Sequence, residues 1–131
     1  MAPIEFLDLA DVFEFHTESL AKWGGSDGIR DRGALEAAIA QPQATFDGEF
    51  LHEDVFAMAA AYAFHIAEAQ AFVDGNKRTA VLAAVVFLDI NGVRVREQED
   101  ILYLAMLEIA EHKRTKAGLA ELLRQLAAAN H

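Results

Sequence analysis

The polar segment that separates the two most apolar stretches of the chain reads Gln70-Ala71-Phe72-Val73-Asp74-Gly75-Asn76-Lys77-Arg78-Thr79. Apolar residues at helical spacing follow it at once, so the segment is predicted to lead into the start of a helix. The first N–H groups of a helix lack intrahelical acceptors and carry a partial positive charge, which suits a helix start to binding an anion. Because Lys77 and Arg78 fall at this start, the predicted anion is phosphate.

The composition indicates a globular protein with no general affinity for nucleic acid. The chain has 131 residues, of which 53% are hydrophobic and 24% are charged, and this length predicts one domain over residues 1–131. Its formal net charge of −10 gives no attraction to nucleic acid or to an anionic membrane, so phosphate binding has to be local. The chain has no cysteine and no apolar stretch long enough to cross a membrane, and we expect a cytoplasmic protein.

Apolar spacing predicts an all-α bundle of about six helices. The third helix is predicted from Val55 through Ile66, and the fourth from about Asn76 to Asn91-Gly92, where either residue tolerates the backbone of a helix end. Both are apolar on most of their circumference and rich in alanine. They are therefore predicted to be the central, buried pair of the bundle.

The first helix is predicted to bury a stripe of apolar side chains, Leu9, Val12, Phe13, Leu20 and Trp23. His16 falls on the same stripe and is interpreted as a half-buried core histidine. Asp8 is placed to cap this helix, and Gly24-Gly25 to end it. A second, shorter helix is predicted to begin after Asp31 and to end before Pro42.

The remaining chain is predicted to form a loop and two further helices. Residues 42–52 lack a helical period, and residues 45–50 suit a turn or a small hairpin, either a solvated loop or a flap beside a site. A fifth helix over about residues 100–113 is predicted to turn inward Ile101, Leu104, Ala105 and Ile109. Thr115 can cap a sixth, with an apolar face of Leu119, Leu122, Leu123 and Leu126. Between these two helices, the basic residues Lys113, Arg114 and Lys116 are interpreted as a solvated cluster.

The loop residues offer the chemistry of a phosphate site. Gly75 allows the backbone to approach a ligand closely, Arg78 can hold phosphate oxygens in a bidentate fork, and Lys77 adds a mobile charge. Asp74 is placed to meet Mg²⁺, which commonly binds one or two carboxylates plus substrate phosphates. Phe72 is predicted to anchor the loop in the core. Such groups can stabilise a phosphoryl group in transfer.

The same residues also have a purely structural interpretation. Asp-Gly-Asn is a common turn sequence, and Asp74 or Asn76 could simply cap the helix. Lys77 and Arg78 could be surface charges. Composition and spacing alone leave both interpretations open.

The segment resembles the signature loop of the Fic/Doc superfamily, His-x-Phe-x-(Asp/Glu)-(Gly/Ala)-Asn-(Gly/Lys)-Arg. The positions that match in register are Phe72, Asp74, Gly75, Asn76, Lys77 and Arg78, followed by Thr79. The resemblance extends to residues 28–33, 42–46 and 87–93, and so from about Phe6 to the last helix. Within the superfamily the chain resembles the death-on-curing (Doc) toxins, since Lys77 and Val81 replace a glycine and a second arginine of the AMP-transferring Fic enzymes.

This resemblance implies a Fic/Doc-like fold and a toxin of a toxin–antitoxin pair. It implies ATP-dependent phosphorylation of a threonine on elongation factor Tu, with Mg²⁺ as cofactor, and neutralisation by a Phd-type antitoxin. The nucleotide phosphates would be held at Gly75, Asn76, Lys77 and Arg78, the metal at Asp74, and Arg78 would also serve catalysis. The alternatives are AMP transfer of the Fic type and a non-catalytic module that binds nucleotide or antitoxin.

Gln70 departs from the pattern, because the family's catalytic histidine falls at this position. A glutamine amide cannot accept a proton near neutral pH, and general-base catalysis is worth about 10²–10⁴-fold, so a crippled enzyme is predicted. His65 lies about 140° around the helix axis from position 70 and is expected to face elsewhere. His52 and His112 are too distant in sequence to place. Gln70 is interpreted either as an engineered inactivation or as a natural pseudoenzyme.

Overall fold

The helices follow one another in the predicted order. The structure, a computed structural model, describes residues 3–96 and 100–129. In this part of the chain it has six α-helices, α1 (Leu9–Trp23), α2 (Arg32–Ala40), α3 (Val55–Ala69), α4 (Asn76–Ile90), α5 (Ile101–Ala110) and α6 (Lys116–Ala129). A 3-10 turn, Gln41–Gln43, follows α2, and an antiparallel hairpin of β1 (Thr45–Phe46) and β2 (Glu49–Phe50) precedes α3. The predicted helical class and small hairpin are confirmed, whereas the predicted domain limits, residues 1 and 131, lie outside the described residues.

Short polar side chains fix where four of the helices begin. At α1, Asp8 and Asp11 form a reciprocal capping box in which each carboxylate accepts the backbone N–H of the other at 2.9 Å. Asp31 and Asp54 each accept the N–H three residues later at the starts of α2 and α3, and Thr115 does the same before α6. These bonds satisfy N–H groups that a helix leaves unpaired, which sets the helix boundaries. The predicted caps Asp8, Asp31 and Thr115 are confirmed.

The helices α3 and α4 form the buried centre of the bundle, as predicted. α3 packs along α4 and also contacts α2, α5 and α6, while α1 and α5 contact α4. Their approach is close because small side chains are fully buried on both helices, namely Ala59, Ala60, Ala63, Ala80, Ala83 and Ala84. Tyr62 of α3 and Phe87 of α4 add a ring contact at 5.0 Å. Among the described residues, no helix combines the length and the apolarity that crossing a bilayer requires.

Four predictions are wrong, three of residue positions and one of a helix end. Trp23 is 39% exposed rather than in the core, because it is the last residue of α1 and lies beside an open cleft. Leu104 is 53% exposed, and α5 ends at Ala110 rather than near Lys113. Since α5 is apolar on nearly all sides, spacing could not identify its inward face. Lys116 is not solvated, since it is half-buried against two histidines.

The hairpin between α2 and α3 leaves apolar side chains in solvent. Phe46 at the end of β1 is 76% exposed, and Leu51 after β2 is 62% exposed. Phe50 is 43% exposed and packs one face against Phe6 at 5.6 Å between ring centroids. The flap interpretation of this region stays a prediction.

Candidate functional site

The loop between α3 and α4 is held by backbone hydrogen bonds to the segment before α2. The carbonyl of Ala71 accepts the N–H groups of Arg30 at 2.6 Å and Asp31 at 3.0 Å. Val73 in turn donates to the carbonyl of Gly28 at 3.0 Å. The loop path is therefore fixed by a neighbouring strand-like segment.

Phe72 and His16 anchor the loop in the core. Phe72 is 1% exposed, and its ring stacks on that of His16 with 3.8 Å between centroids. His16, only 4% exposed, donates from Nε2 to the carbonyl of Asp74 at 2.8 Å, since a carbonyl can only accept. Both residues lie in the core as predicted, His16 more deeply than the half-buried position expected, and His16 also holds the loop carbonyl in place.

Asn76 closes the loop on itself. Its side-chain Oδ1 accepts the N–H of Phe72 at 3.1 Å, and its Nδ2 donates to the carbonyl of Phe72 at 3.0 Å. The amide is thereby occupied within the protein. Asn76 thus shapes the start of α4, and its backbone N–H remains the group that can meet a ligand.

The start of α4 has no side-chain cap. Gly75 occupies the cap position with φ +79°, a conformation that favours glycine, and a Cβ there would lie 3.1 Å from Ser19 Oγ. The first backbone bond of the helix runs from the Thr79 N–H to the Gly75 carbonyl at 3.0 Å. The N–H groups of residues 76–78 precede this bond and have no acceptor within the helix. They form the kind of donor set that binds an oxyanion.

An open cleft of about 380 Å³ lies at this helix start. Its walls are Trp23, Gly24, Val73, Asp74, Gly75, Asn76, Lys77, Arg78 and Tyr103. A volume of this size falls within the range of about 300–1,000 Å³ that is usual for small-molecule sites. The cleft therefore brings together the residues Asp74 to Arg78 that the sequence singled out.

Arg78 is held in the cleft by three neighbours. Its guanidinium lies 3.7 Å from the ring centroid of Tyr103 and 4.4 Å from that of Trp23, and it donates from Nη1 to Asp100 Oδ1 at 3.0 Å. Its side chain is 18% exposed. The aromatic contacts fix the plane of the guanidinium, whose remaining N–H groups are the donors available to a ligand.

Asp74 can accept a hard cation without giving up its bonds to the protein. Its Oδ1 accepts the Gly75 N–H at 2.9 Å and its Oδ2 accepts the Ser26 N–H at 3.2 Å, which uses two of about four lone-pair positions. No group of three or more metal-ligating side chains occurs in residues 3–96 and 100–129. The donor set thus suits Mg²⁺ that takes its other ligands from phosphate and water.

Gln70 is not among the residues that line this cleft. It ends α3 in the left-handed conformation with φ +46° and is exposed. It lines a second cleft of about 240 Å³ together with Lys77 and His112, whereas Lys77 also lines the first cleft. Gln70 and Arg78 are therefore not in one cleft, and Lys77 connects the two.

His65 belongs to a basic cluster with His52 and Lys116, and it is not among the residues that line the second cleft with Gln70. The Nζ of Lys116 lies 3.2 Å from His65 Nε2 and 3.3 Å from His52 Nε2. Burial, with the positive charge of Lys116 and the nearby His52, lowers the pKa of His65 to about 4. Burial and Lys116 also lower the pKa of His52, and burial lowers that of Lys116.

Comparison with known proteins assigns the chain to a family. A family model described as the Fic/DOC family matches residues 6–88. This chain belongs to the Fic/DOC family. It is 43% identical over 97 residues to a Toxin Doc of Mycolicibacterium smegmatis, covering 74% of this chain and 72% of that protein. It is also 32% identical over 116 residues to the Protein kinase doc of Escherichia phage P1, covering 88% and 90%. The predicted family and the homology to Doc toxins are confirmed.

Part of the cleft in this Fic/DOC protein was not foreseen from its sequence. Asp100, which directly precedes α5, lies 22 residues from Arg78 in the sequence, and Tyr103 lies within α5, so neither contact carries a local signal. Trp23 did carry a local signal, since a large aromatic residue directly before Gly24-Gly25 is placed at an open helix end. The apolar periodicity of α1 instead predicted a core position for Trp23.

Proposed function

We propose that this member of the Fic/DOC family is a toxin that phosphorylates a threonine of elongation factor Tu in the bacterial cytoplasm. ATP would supply the phosphoryl group, and a Phd-type antitoxin would neutralise the toxin. The observation that carries the proposal is the uncapped start of α4, which opens into the first cleft with Lys77 and Arg78 beside it. A helix start with two cations is built for phosphate.

Each proposed role belongs to a group in that cleft. The N–H groups of residues 76–78 and the side chain of Lys77 would hold phosphate oxygens, and Arg78, fixed between two aromatic rings, would donate to the transferring group. Mg²⁺, when bound at Asp74, would neutralise charge on the phosphates. Gly75 would keep the backbone close enough for these contacts.

Phosphoryl transfer is favoured over AMP transfer by position 81. The Fic-type enzymes that the chain resembles usually carry a second arginine there, whereas Val81 is 6% exposed and apolar. This position therefore offers no donor to a nucleotide. The printed name of the phage P1 relative, a protein kinase, supports the same choice.

A non-catalytic binding module is the second candidate, and Gln70 is the observation that favours it. A glutamine amide does not take up the proton that the target hydroxyl must lose. If no other group takes this proton, the chain would bind nucleotide or antitoxin without transfer.

The two candidates differ in one experiment. The chain and its Gln70→His variant are each incubated with elongation factor Tu, ATP and Mg²⁺, and the intact mass of the factor is measured. One added phosphoryl group with either protein supports the proposal, and an added AMP group supports Fic-type transfer. No mass change with either protein, in preparations that bind ATP, supports the binding module and contradicts the proposal.

The antitoxin part of the proposal is tested in cells. Expression of Gln70→His is expected to arrest growth, and co-expression of a small upstream reading frame is expected to restore it. Growth that continues with the folded variant alone would contradict the toxin assignment.

A further inference from the structure

We propose that the second cleft is the site of the target hydroxyl and that His112 is its proton acceptor. This inference rests on the proposed phosphotransfer. It names a residue that could take the proton of the target hydroxyl, which the side chain of Gln70 cannot accept. It concerns the cleft of about 240 Å³ lined by Ala67, Glu68, Gln70, Lys77, Met106, Ile109, Ala110 and His112.

Lys77 is shared by the two clefts. It lines the first cleft beside Asp74 and Arg78, and it lines the second beside Gln70 and His112. A phosphate in the first cleft and a hydroxyl in the second would therefore meet at the same residue. The second cleft lies below the usual size range of small-molecule sites, about 300–1,000 Å³, and suits a single side chain of a protein target better than a nucleotide.

Three residues other than glycine adopt left-handed backbone conformations beside the two clefts. Among the described residues, those other than glycine with positive φ are Asp47, Gln70, Asp100 and His112. Gln70 and His112 face the second cleft from the ends of α3 and α5, and Asp100 holds Arg78 in the first. The left-handed conformation of His112 ends α5, because the His112 N–H donates to the Ile109 carbonyl at 3.0 Å and the Lys113 N–H to the Glu108 carbonyl at 2.8 Å. The end of α5 thus fixes the backbone of His112 at the second cleft.

An imidazole can accept the proton that the target hydroxyl loses during phosphoryl transfer. Of the ordinary side chains, histidine has the pKa nearest to neutral, so its unprotonated ring nitrogen is available to accept a proton. The hydroxyl oxygen forms a bond to the γ-phosphorus of ATP while the bond to the bridging oxygen breaks, and that electron pair leaves on ADP. The hydroxyl proton passes to His112 and then to water. Glu68 lines the same cleft and is the rival acceptor.

The test is a set of variants measured in one transfer assay with elongation factor Tu and labelled ATP. The set comprises the unchanged chain, His112→Gln, Glu68→Gln, Gln70→His and the double variant Gln70→His with His112→Gln. The matched control is His52→Gln, which removes a histidine that lies against Lys116 instead. Melting temperatures and ATP affinities establish that each variant is folded and binds nucleotide.

We expect His112→Gln to lower transfer by about 10²–10⁴-fold, with His52→Gln unchanged. Gln70→His should restore transfer in the double variant, because it supplies a second base to the same cleft, and a purely structural role of His112 would not be rescued in this way.

Four outcomes overturn the inference and leave the proposed function standing. Phosphoryl transfer could persist in His112→Gln, be lost in Glu68→Gln instead, or fail to return when Gln70→His is added to His112→Gln. Transfer could also occur only in the proteins that carry Gln70→His. No transfer by any variant would remove the proposed function and this inference together.

Discussion

The helices α3 and α4 have the same length and pack against each other, yet they begin in opposite ways. Both run for 15 residues. α3 begins after Asp54, whose carboxylate accepts the Ala57 N–H at 2.8 Å and pairs with Arg124 at 3.0 Å. α4 begins after Gly75, which has no side chain to offer and opens into a cleft.

The difference separates a structural helix start from one available to a ligand. A cap such as Asp54 typically contributes about 1 kcal/mol, and α4 forms without it. Asn76 instead stabilises the loop from behind, through its two bonds to the backbone of Phe72. The N–H groups that a cap would have occupied are left for an anion, and this is where the sequence places Lys77.

Replacing Asn76 by alanine should produce the largest change. The variant removes the partners of both the Phe72 N–H and the Phe72 carbonyl, and a buried group left unpaired costs about 1–3 kcal/mol. Because these two groups are only part-buried, we expect the lower part of that range, a loss of about 2–3 kcal/mol in the free energy of unfolding. ATP affinity should fall as well, because the loop loses the shape that presents its N–H groups. Denaturant unfolding and calorimetric titration with ATP and Mg²⁺ measure the two effects.

Asn91→Ala is the matched control at the far end of the same helix. The Asn91 side chain accepts the N–H of Glu5 and donates to the carbonyl of Glu5, both at 2.9 Å, which is the same pair of bonds that Asn76 makes to Phe72. Its removal should cost similar stability and leave ATP affinity unchanged. Equal ATP affinities of the two variants would contradict the role given to the start of α4.

Lys77→Ala should weaken ATP binding without weakening the fold. A hydrogen bond to a charged group is worth about 1.5–3 kcal/mol, so we expect an affinity loss of roughly 10–100-fold. The free energy of unfolding should change by less than about 0.5 kcal/mol, as for other surface substitutions. Arg32→Ala, which removes an exposed cation paired with Glu36, is the charge-matched control. If both variants weaken binding alike, the effect is one of net charge and not of this helix start.

Asp54→Ala should have the reverse effect, with lower stability and unchanged ATP affinity. It removes the cap of α3 and one partner of Arg124, and we expect a loss of about 1–2 kcal/mol in the free energy of unfolding. Asp54→Asn keeps a capping oxygen and should lose less than half as much. A weaker ATP affinity in either variant would show that the two helix starts are not independent.

The fold could be predicted from the sequence because the signals that mark helix ends are local. The aspartate caps, Pro42 and Asn91-Gly92 mark helix ends through bonds within a few residues. Spacing failed where it carries little information, as on α5, which is apolar on nearly every side and whose Leu104 is exposed.

The candidate site was predictable only as far as it is contiguous. Residues 74–78 follow one another at the end of the loop and in the first turn of α4, and they line one cleft. Tyr103 comes from α5, Asp100 from directly before it and His112 from the turn after it, so their approach depends on how α5 packs on α4. Lys116 was misjudged for the same reason, since its histidine partners lie on other elements.

The remaining prediction concerns pH and the other end of α3, where His65 contacts Lys116. The folded-state pKa of His65, about 4, is below its ordinary value of 6.5, so the unfolded chain binds the proton more readily. The full stability is therefore present above pH 6.5 and falls as the pH is lowered from 6.5 toward 4. His52, whose pKa is lowered too, contributes with the same sign. Melting temperatures between pH 7.5 and pH 5 measure this slope.

His65→Gln should make that slope shallower, since the group that takes up a proton on unfolding is gone. Lys116→Met should do so in part, because it removes the positive charge that, after burial, lowers the pKa of both histidines. ATP affinity at pH 7.5 should be unchanged in both variants, because the cluster lies outside the two clefts beside Lys77. An unchanged slope in His65→Gln would assign the acid sensitivity to the carboxylates.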